Sequence, residues 1–401
     1  MDAAFSGLSA ARTFHALPDP ATALALLGEA NRRAPAGGPV AARGRDLWLY
    51  GAGNLGRLAR THCDFVGQEV AGVVDRNAEA QQGAPEWGGL PVLRPDEVPS
   101  DARSQALLAV SIVTAPFVPL RDQLLAEGWG AVVPFYDVAE GFRHRHPLSN
   151  GWFAYPLGPA AIEDAGDVLN GLADDHSRAH YLRFAAWRLA REEWDFPEAP
   201  VTTGDRFFIP EVLGAIRPGE RILDSGAHHG ELVPRFFGAF NGAMERLWAI
   251  EPDPGSLGML KAASETWPSD LHSRVTILDE VLSDRPGPVR FHHGLGYASQ
   301  IAPTGQMERD ATTIDALGLD PTVVKLHLEG GELDALKGAG ETIARNRPIL
   351  IATVYHDAAG LIDTPLHLMR TLEDYAVSMR SHGYCGTGAV VYAIPKERLT
   401  S

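Results

Sequence analysis

Short apolar runs bounded by glycine alternate along this chain with longer stretches whose apolar residues recur every three or four positions. The first such block starts at Asp46. LWLY (47–50) predicts a strand, GAGNLG (51–56) a turn and GRLARTHCDFVG (56–67) a helix. VAGVVD, ending on Asp75, and QALLAVSI (105–112) predict further strands. PLRDQLLAEGW (119–129) predicts a helix and AVVPF (131–135) another strand. Strand–helix alternation of this kind predicts a parallel sheet with helices on both faces.

A second block runs from about Phe207. RILDSG, RLWAIEP, RVTILDEVLSD, VVKLHLEG, PILIATVYH and GAVVYAIP predict strands. ELVPRFFGAF, PGSLGMLKAASETW, GELDALKGAGETIARN and LHLMRTLEDYAVSMRSHG predict the helices between them, and GPVRFHH a hairpin arm. The pattern therefore predicts an α/β protein with two doubly wound Rossmann-like domains, 46–145 and 206–401. Ahead of them lies a helical segment, 1–45, in which PATALALLGEANRR has helical spacing and APAGGPVAARG reads as a linker. Between them lies a helical linker, 146–205, with one long amphipathic helix over about residues 167–194 whose aromatic side chains pack between the domains.

Composition narrows the class. A chain of 401 residues exceeds one ordinary domain. With 45% hydrophobic and 21% charged residues it builds full cores and is not disordered. Thirty-five basic against 51 acidic residues leave a formal charge of −16, which argues against nucleic acid and anionic membrane as partners. No apolar run reaches the about 18 residues that span a bilayer. The N-terminus lacks the basic start and apolar core of a secretory signal, and Cys63 and Cys385 fall in different predicted domains, so a reducing cytoplasm is expected. Homo-oligomer formation is left open.

The turn RILDSGAHHGELV carries the first candidate chemistry. Asp224-x-Gly226-x-x-x-Gly230 lets backbone approach a ligand, and Glu251 ends the next predicted strand. The spacing is wider than the G-x-G-x-x-G of dinucleotide turns. Asp224 facing a cationic or amino-acid portion, and Glu251 accepting both ribose hydroxyls, point to S-adenosylmethionine. An ordinary βα turn with a solvated Glu251 reads equally well from the turn alone.

The remainder of the domain decides between them. ILDSGAHHGE, AIEPDPGSLGML, ILDEVLSDRPGPVRF, TTIDAL and VVKLHLEGGELDALKGAGETIARNRPILI, in order, resemble the FkbM family of S-adenosylmethionine-dependent methyltransferases. The resemblance covers about residues 205–395, and K-x-x-x-E-G-x-E-x-x-x-L-K-G-A, from Lys325 to Ala339, is its specific run. It implies a class I methyltransferase fold and O-methylation of a hydroxyl on a sugar, nucleotide-sugar or glycan-like natural product. Asp224, Gly226, Ala227, His228 and Gly230 match the cofactor loop and Glu251 the ribose-binding acid. Asp279 or Glu280 lies where the adenine edge is met. The family usually has Asn at His228 and Asp at His327. An imidazole in place of that Asp suits proton abstraction, so His327 is the expected base, His356 the second candidate, and Lys325 and Glu329 are expected to orient the acceptor. Lys325, His327 and Glu329 alternate on one predicted strand and so share a face. His327, Glu329 and His356 match no strong metal-ligand spacing, and no metal is expected. His228–His229 and His292–His293 are candidates to line a site.

The first turn, Gly51-x-Gly53-x-x-Gly56, follows a predicted strand and opens a helix, with Asp75 ending the next strand. This is the context of a dinucleotide site. Residues 47–100, GGLPVLRPDEV among them, also resemble Rossmann-like domains of sugar-modifying bacterial enzymes, including the N-terminal halves of sugar acetyltransferases. The domain has no Tyr-x-x-x-Lys pair and no His–Asp pair at its strand ends to carry hydride chemistry. Gly51, Gly53, Gly56 and Asp75 are thus a candidate second site for a nucleotide or nucleotide-sugar, or a turn kept for structure. The readings set against an enzyme of methyl transfer are a non-catalytic scaffold that kept the fold, which His327 in place of Asp favours, and an oxidoreductase working through the first turn.

Overall fold

A computed structural model describes residues 10–34, 38–148 and 150–399. Residues 1–9 of the expected N-terminal helical segment lie outside them. Beyond residue 9 the segment holds a strand, Ala11–Thr13, pairing parallel with Glu193–Asp195, and a helix, Pro20–Arg32, capped by the Asp19 carboxylate on the Thr22 amide.

The N-terminal sheet has five parallel strands in the spatial order Val92–Leu93, Gly72–Val74, Leu47–Tyr50, Leu107–Val110, Ala131–Pro134. Every residue of the last three strands is buried, as expected where helices cover both faces. The strand order reverses beside Leu47–Tyr50, which places the Gly51–Gly56 turn at the switch point. Gly56 is required by packing, since a Cβ there would sit 2.0 Å from the Gly51 carbonyl oxygen.

The C-terminal sheet has seven strands, in the order Val275–Leu278, Met244–Ile250, Glu220–Ser225, Val323–Leu326, Ile349–Thr353, Ala389–Pro395, Tyr375–Ser381. The first five are parallel, and Ala389–Pro395 runs antiparallel to both of its neighbours. A small second sheet is built on Gly287–His292 and Met307–Thr312, which pair antiparallel.

Four expectations are corrected. The stretch 366–383 is a helix only as far as Thr371. Tyr375–Ser381 is a strand, because Asp374 turns with a positive φ and the alternating residues after it pair with Ala389–Pro395. The strand predicted through residue 330 stops at Leu326, so His327 and Glu329 lie in the turn beyond it, with Glu329 at φ +52°. The single long helix of the linker is two helices, Pro159–Gly171 and Asp175–Ala190, divided where Asp174 caps the second through the Ser177 amide. That second helix is not amphipathic, for it is buried on nearly every face. Its arginines are tolerated there because backbone carbonyls accept their hydrogen bonds: Arg188 donates to the carbonyls of Asn150 and Trp152 in the linker and of Tyr355 and Gly386 in the C-terminal domain, which ties these two parts together. The two cysteines are free and buried. Among the described residues no helix is long and apolar enough to cross a membrane.

Candidate active site

The strand Glu220–Ser225 delivers its turn at the second switch point. Gly226 has φ +75°, and a Cβ on it would lie 2.0 Å from the His327 carbonyl oxygen. Only glycine lets the turn press so closely on the segment that carries His327. The Gly226 and Ala227 amides both donate to the Ile250 carbonyl, at 3.0 Å. His228 follows with φ +50°, its ring stacked on that of His229 at 3.6 Å. Glu251, at the tip of the neighbouring strand, accepts the His228 amide on Oε2 (2.7 Å) and the Asp253 amide on Oε1 (2.9 Å). Burial pushes its carboxyl up to about 7 against those two amides. Further donors, such as a pair of vicinal hydroxyls, would restore its ionised form.

A cleft opens beside this turn. Gly226, His228, Glu251 and Glu280 line it, with Val281, Leu282 and Phe291 supplying apolar walls. Of the two acids expected near an adenine edge, Glu280 faces the cleft and Asp279 is turned away into an ion pair with Arg309 at 2.6 Å. Ala227 is buried under the turn, and Gly230 serves packing, since a Cβ on it would lie 2.5 Å from Leu260 Cδ1. Two roles assigned from the sequence fail. Asp224 and Lys325 are register partners on adjacent strands and are both fully buried, 2.8 Å apart. Asp224 therefore cannot reach a ligand's amino end, and Lys325 cannot orient an acceptor. Lys325 instead donates to the Ser225 and Gly226 carbonyls and holds the turn in place.

The second cavity, of about 540 Å³, lies between the two halves of the molecule. From the N-terminal half come Gly51, Gly53, Asn54, Asp75 and Tyr136, and from the C-terminal half Arg206, Tyr297, His327, Glu329 and Tyr355. Gly53 is the N-cap of the helix Asn54–Val66, which has no side-chain cap and no acid in its first turn. A Cβ on Gly53 would meet nothing within 4 Å. Asp75 accepts the Ala52 amide (2.7 Å) and the Asn77 amide (2.8 Å), so it shapes this turn as Glu251 shapes the other. His327 and Tyr297 line both cavities, which thus meet at these two side chains.

At that meeting point His327 Nε2 stands 3.2 Å from Glu329 Oε1 and 3.2 Å from the Tyr355 hydroxyl. Burial lowers the His327 ring to about 4, with Glu329 opposing the shift, so the imidazole is neutral at pH 7. His356 is sealed behind it, Nε2 3.1 Å from Glu329 Oε1 and Nδ1 2.9 Å from Glu332 Oε1. Burial disfavours its charge, but Glu329 and Glu332 outweigh that and hold it well above the usual range. Burial likewise opposes ionisation of Glu329, and His356 and His327 hold it well below the carboxylate range. His356 lines neither cavity and is 1% exposed, so it has no direct path to an acceptor. Of the other paired histidines, His292 packs on His146 (5.3 Å) and Phe65 (5.6 Å) between the halves rather than lining a site. Arg206, Tyr297, Glu332 and Tyr355 were not singled out from the sequence. Glu332 alone carried a signal there, as the second acid of the Lys325–Ala339 run.

A seven-stranded sheet in this order, with its antiparallel insertion and a glycine turn at the switch point, is the class I methyltransferase fold. The protein is a methyltransferase. Residues 224–384 match the family model described as "Methyltransferase FkbM domain". A crystal structure of the methyltransferase FkbM from Methylobacillus flagellatus KT is similar at 21% identity, covering 94% of this chain and 100% of that one with a TM-score of 0.62. Precorrin-6y C5,15-methyltransferase from Geobacter metallireducens GS-15 (15% identity, 49% of this chain, 94% of that one, TM-score 0.28) is a more distant likeness. So is an SAH-bound methyltransferase from Podospora anserina (11%, 61%, 98%, TM-score 0.30). No curated protein matches the chain.

Proposed function

We propose that the protein methylates a hydroxyl of a phosphate-bearing sugar, such as a nucleotide-sugar, with S-adenosylmethionine as donor. The observation that carries this reading is that the cleft beside Gly226 and Glu251 and the cavity beside Gly53 and Arg206 share His327 and Tyr297. The donor belongs in the first. Gly226 and His228 leave room along the turn, Glu251 has lone pairs free for ribose hydroxyls, and Val281, Leu282 and Phe291 offer a flat apolar slot to a base. When bound there, the cofactor supplies a methyl group on a sulfonium.

The acceptor belongs in the second. The open amides of the Asn54–Val66 helix and the Arg206 guanidinium favour an anion on opposite sides of one cavity. Phosphate groups held there leave the sugar end near His327. A neutral imidazole at that point accepts the hydroxyl proton as the oxygen attacks, and Glu329 orients it. Alignment of the oxygen opposite the S–CH₃ bond is the larger contribution, and rigid walls from two domains provide it.

The test is incubation with methyl-labelled S-adenosylmethionine and a panel of nucleotide-sugars, sugar phosphates and free sugars. Label on the oxygen of a phosphorylated sugar is the expected result. Transfer only to acceptors without phosphate would sink the assignment of Arg206 and the N-terminal turn.

A further inference from the structure

We propose that His327, Glu329 and His356 form a site for one divalent first-row transition-metal ion, with its open positions facing the interdomain cavity. The two Nε2 atoms and the Glu329 oxygen converge, 3.2 and 3.1 Å from imidazole to carboxylate and all within 4.8 Å of one another. With bonds of about 2.0–2.2 Å, ligand atoms at right angles around an ion lie about 3 Å apart.

A second observation points to an ion independently of that convergence. His356 donates Nδ1–H to Glu332 Oε1, and Glu332 is itself fixed by Thr353 Oγ1 (2.6 Å) and by the Leu328 and Gly330 amides (2.9 Å each). A carboxylate behind a histidine is the outer shell that sets the tautomer of a metal-ligating imidazole. It leaves His356 Nε2, buried, aimed at Glu329 Oε1 3.1 Å away, a gap that either a proton or a metal ion must fill. Glu329 also keeps a left-handed backbone at φ +52°, a conformation that side chains rarely adopt and that is retained where a site requires it.

Two imidazoles and one carboxylate suit Mn, Fe, Co or Zn rather than Mg or Ca, which prefer oxygen throughout. Only His327 and Glu329 border the cavity, so the ion would be closed behind by His356 and open toward the acceptor. The site itself stands on geometry. Its role rests on the proposed function and replaces proton abstraction by the bare imidazole. An acceptor hydroxyl ligating the ion gives its proton to solvent more readily. Its oxygen then forms the bond to the methyl carbon as the C–S bond breaks, and that electron pair stays on sulfur. No electron is gained or lost overall.

The experiment titrates chelator-treated full-length protein with Co(II) alone and follows its visible d–d absorption, with stoichiometry by calorimetry. One ion per chain is expected, with binding lost in Glu329→Gln and His356→Gln. Glu332→Gln, which spares all three ligands, should weaken binding by about 10–100-fold. Thermal melts establish that each variant is folded. If a variant fails to fold, Zn(II) or Co(II) raising the melting temperature of the wild type answers the same question. Folded wild type that takes up no stoichiometric Co(II), or variants that bind it as well, would overturn the site and leave a proton on His356 as the bridging cation. Methyl transfer unchanged by complete chelation would overturn the catalytic role. A metal-loaded protein that methylates no phosphorylated sugar would count against the proposed function and not against the site.

Discussion

Lys325 Nζ lies 2.8 Å from Asp224 Oδ1, and neither side chain has any exposed surface. The pair spans two adjacent strands, and the same ammonium holds the Ser225 and Gly226 carbonyls. Such a pair is stabilising only while complete, because either charge left alone in the core keeps its full desolvation cost. Lys325→Met should therefore lose about 3–5 kcal/mol of stability in urea unfolding. Adding Asp224→Leu should recover most of it. A single variant as stable as the wild type would show that the ammonium contributes nothing to the turn.

Glu251→Ala removes the acid assigned to the ribose. Loss of a charge-assisted hydrogen bond costs about 1.5–3 kcal/mol, so calorimetry should show S-adenosylmethionine affinity down about tenfold or more. The wild type should bind more weakly as pH falls through about 7. Its carboxyl titrates there when free, and hydroxyl donors favour the ionised form.

Gly53 and Gly56 separate binding from folding. Gly53 has ordinary extended backbone at φ −76° and empty space where a Cβ would go, so Gly53→Val should fold normally and intrude on the interdomain cavity. Its kcat/KM for a phosphorylated acceptor should drop while S-adenosylmethionine affinity holds. Gly56→Val drives carbon into the Gly51 carbonyl and should lower the melting temperature instead.

His327→Ala should reduce methyl transfer by about 10²–10⁴-fold, whether the ring takes the proton itself or ligates an ion. Binding of S-adenosylmethionine should change little. His327→Asp, which restores the usual family residue, should keep part of the rate. Transfer at the wild-type rate in the alanine variant would reduce His327 to packing.

Acid should loosen the joint between the halves. His62 and His146 sit 4.5 Å apart, and His146 is 5.3 Å from His292. Burial lowers His62 to about 3 and His146 to about 4. Below pH 6.5 the unfolded chain binds protons that the folded one refuses. Stability is thus fully present above 6.5 and is lost as pH falls toward 4, by up to about 1.4 kcal/mol per pH unit for each ring. His62→Phe should flatten that slope in urea titrations at several pH values, since neither ring nitrogen has a hydrogen-bond partner among the described residues.

Both sheets and both glycine turns are legible in the residue pattern, because a strand buried on two faces must be continuously apolar and a tight βα turn needs glycine. Glu251 is legible too, as the acid that ends the strand beside the second turn. Local pattern misled at Tyr375–Ser381, where alternating residues followed a helix and only pairing with Ala389–Pro395 shows them to be a strand. It misled again at Lys325 and Asp224, whose charge suggested a ligand until strand register sealed them together. The convergence of His327, Glu329 and His356 could not be read at all, since 27 residues separate Glu329 from His356 and the turn after Leu326 brings them within 3.1 Å. Nor could the meeting of Gly53 with His327 across one cavity. Periodicity and turn chemistry are properties of neighbours along the chain and so determined the elements. A site assembled from two domains depends on how those elements pack, and only the tertiary structure decided it.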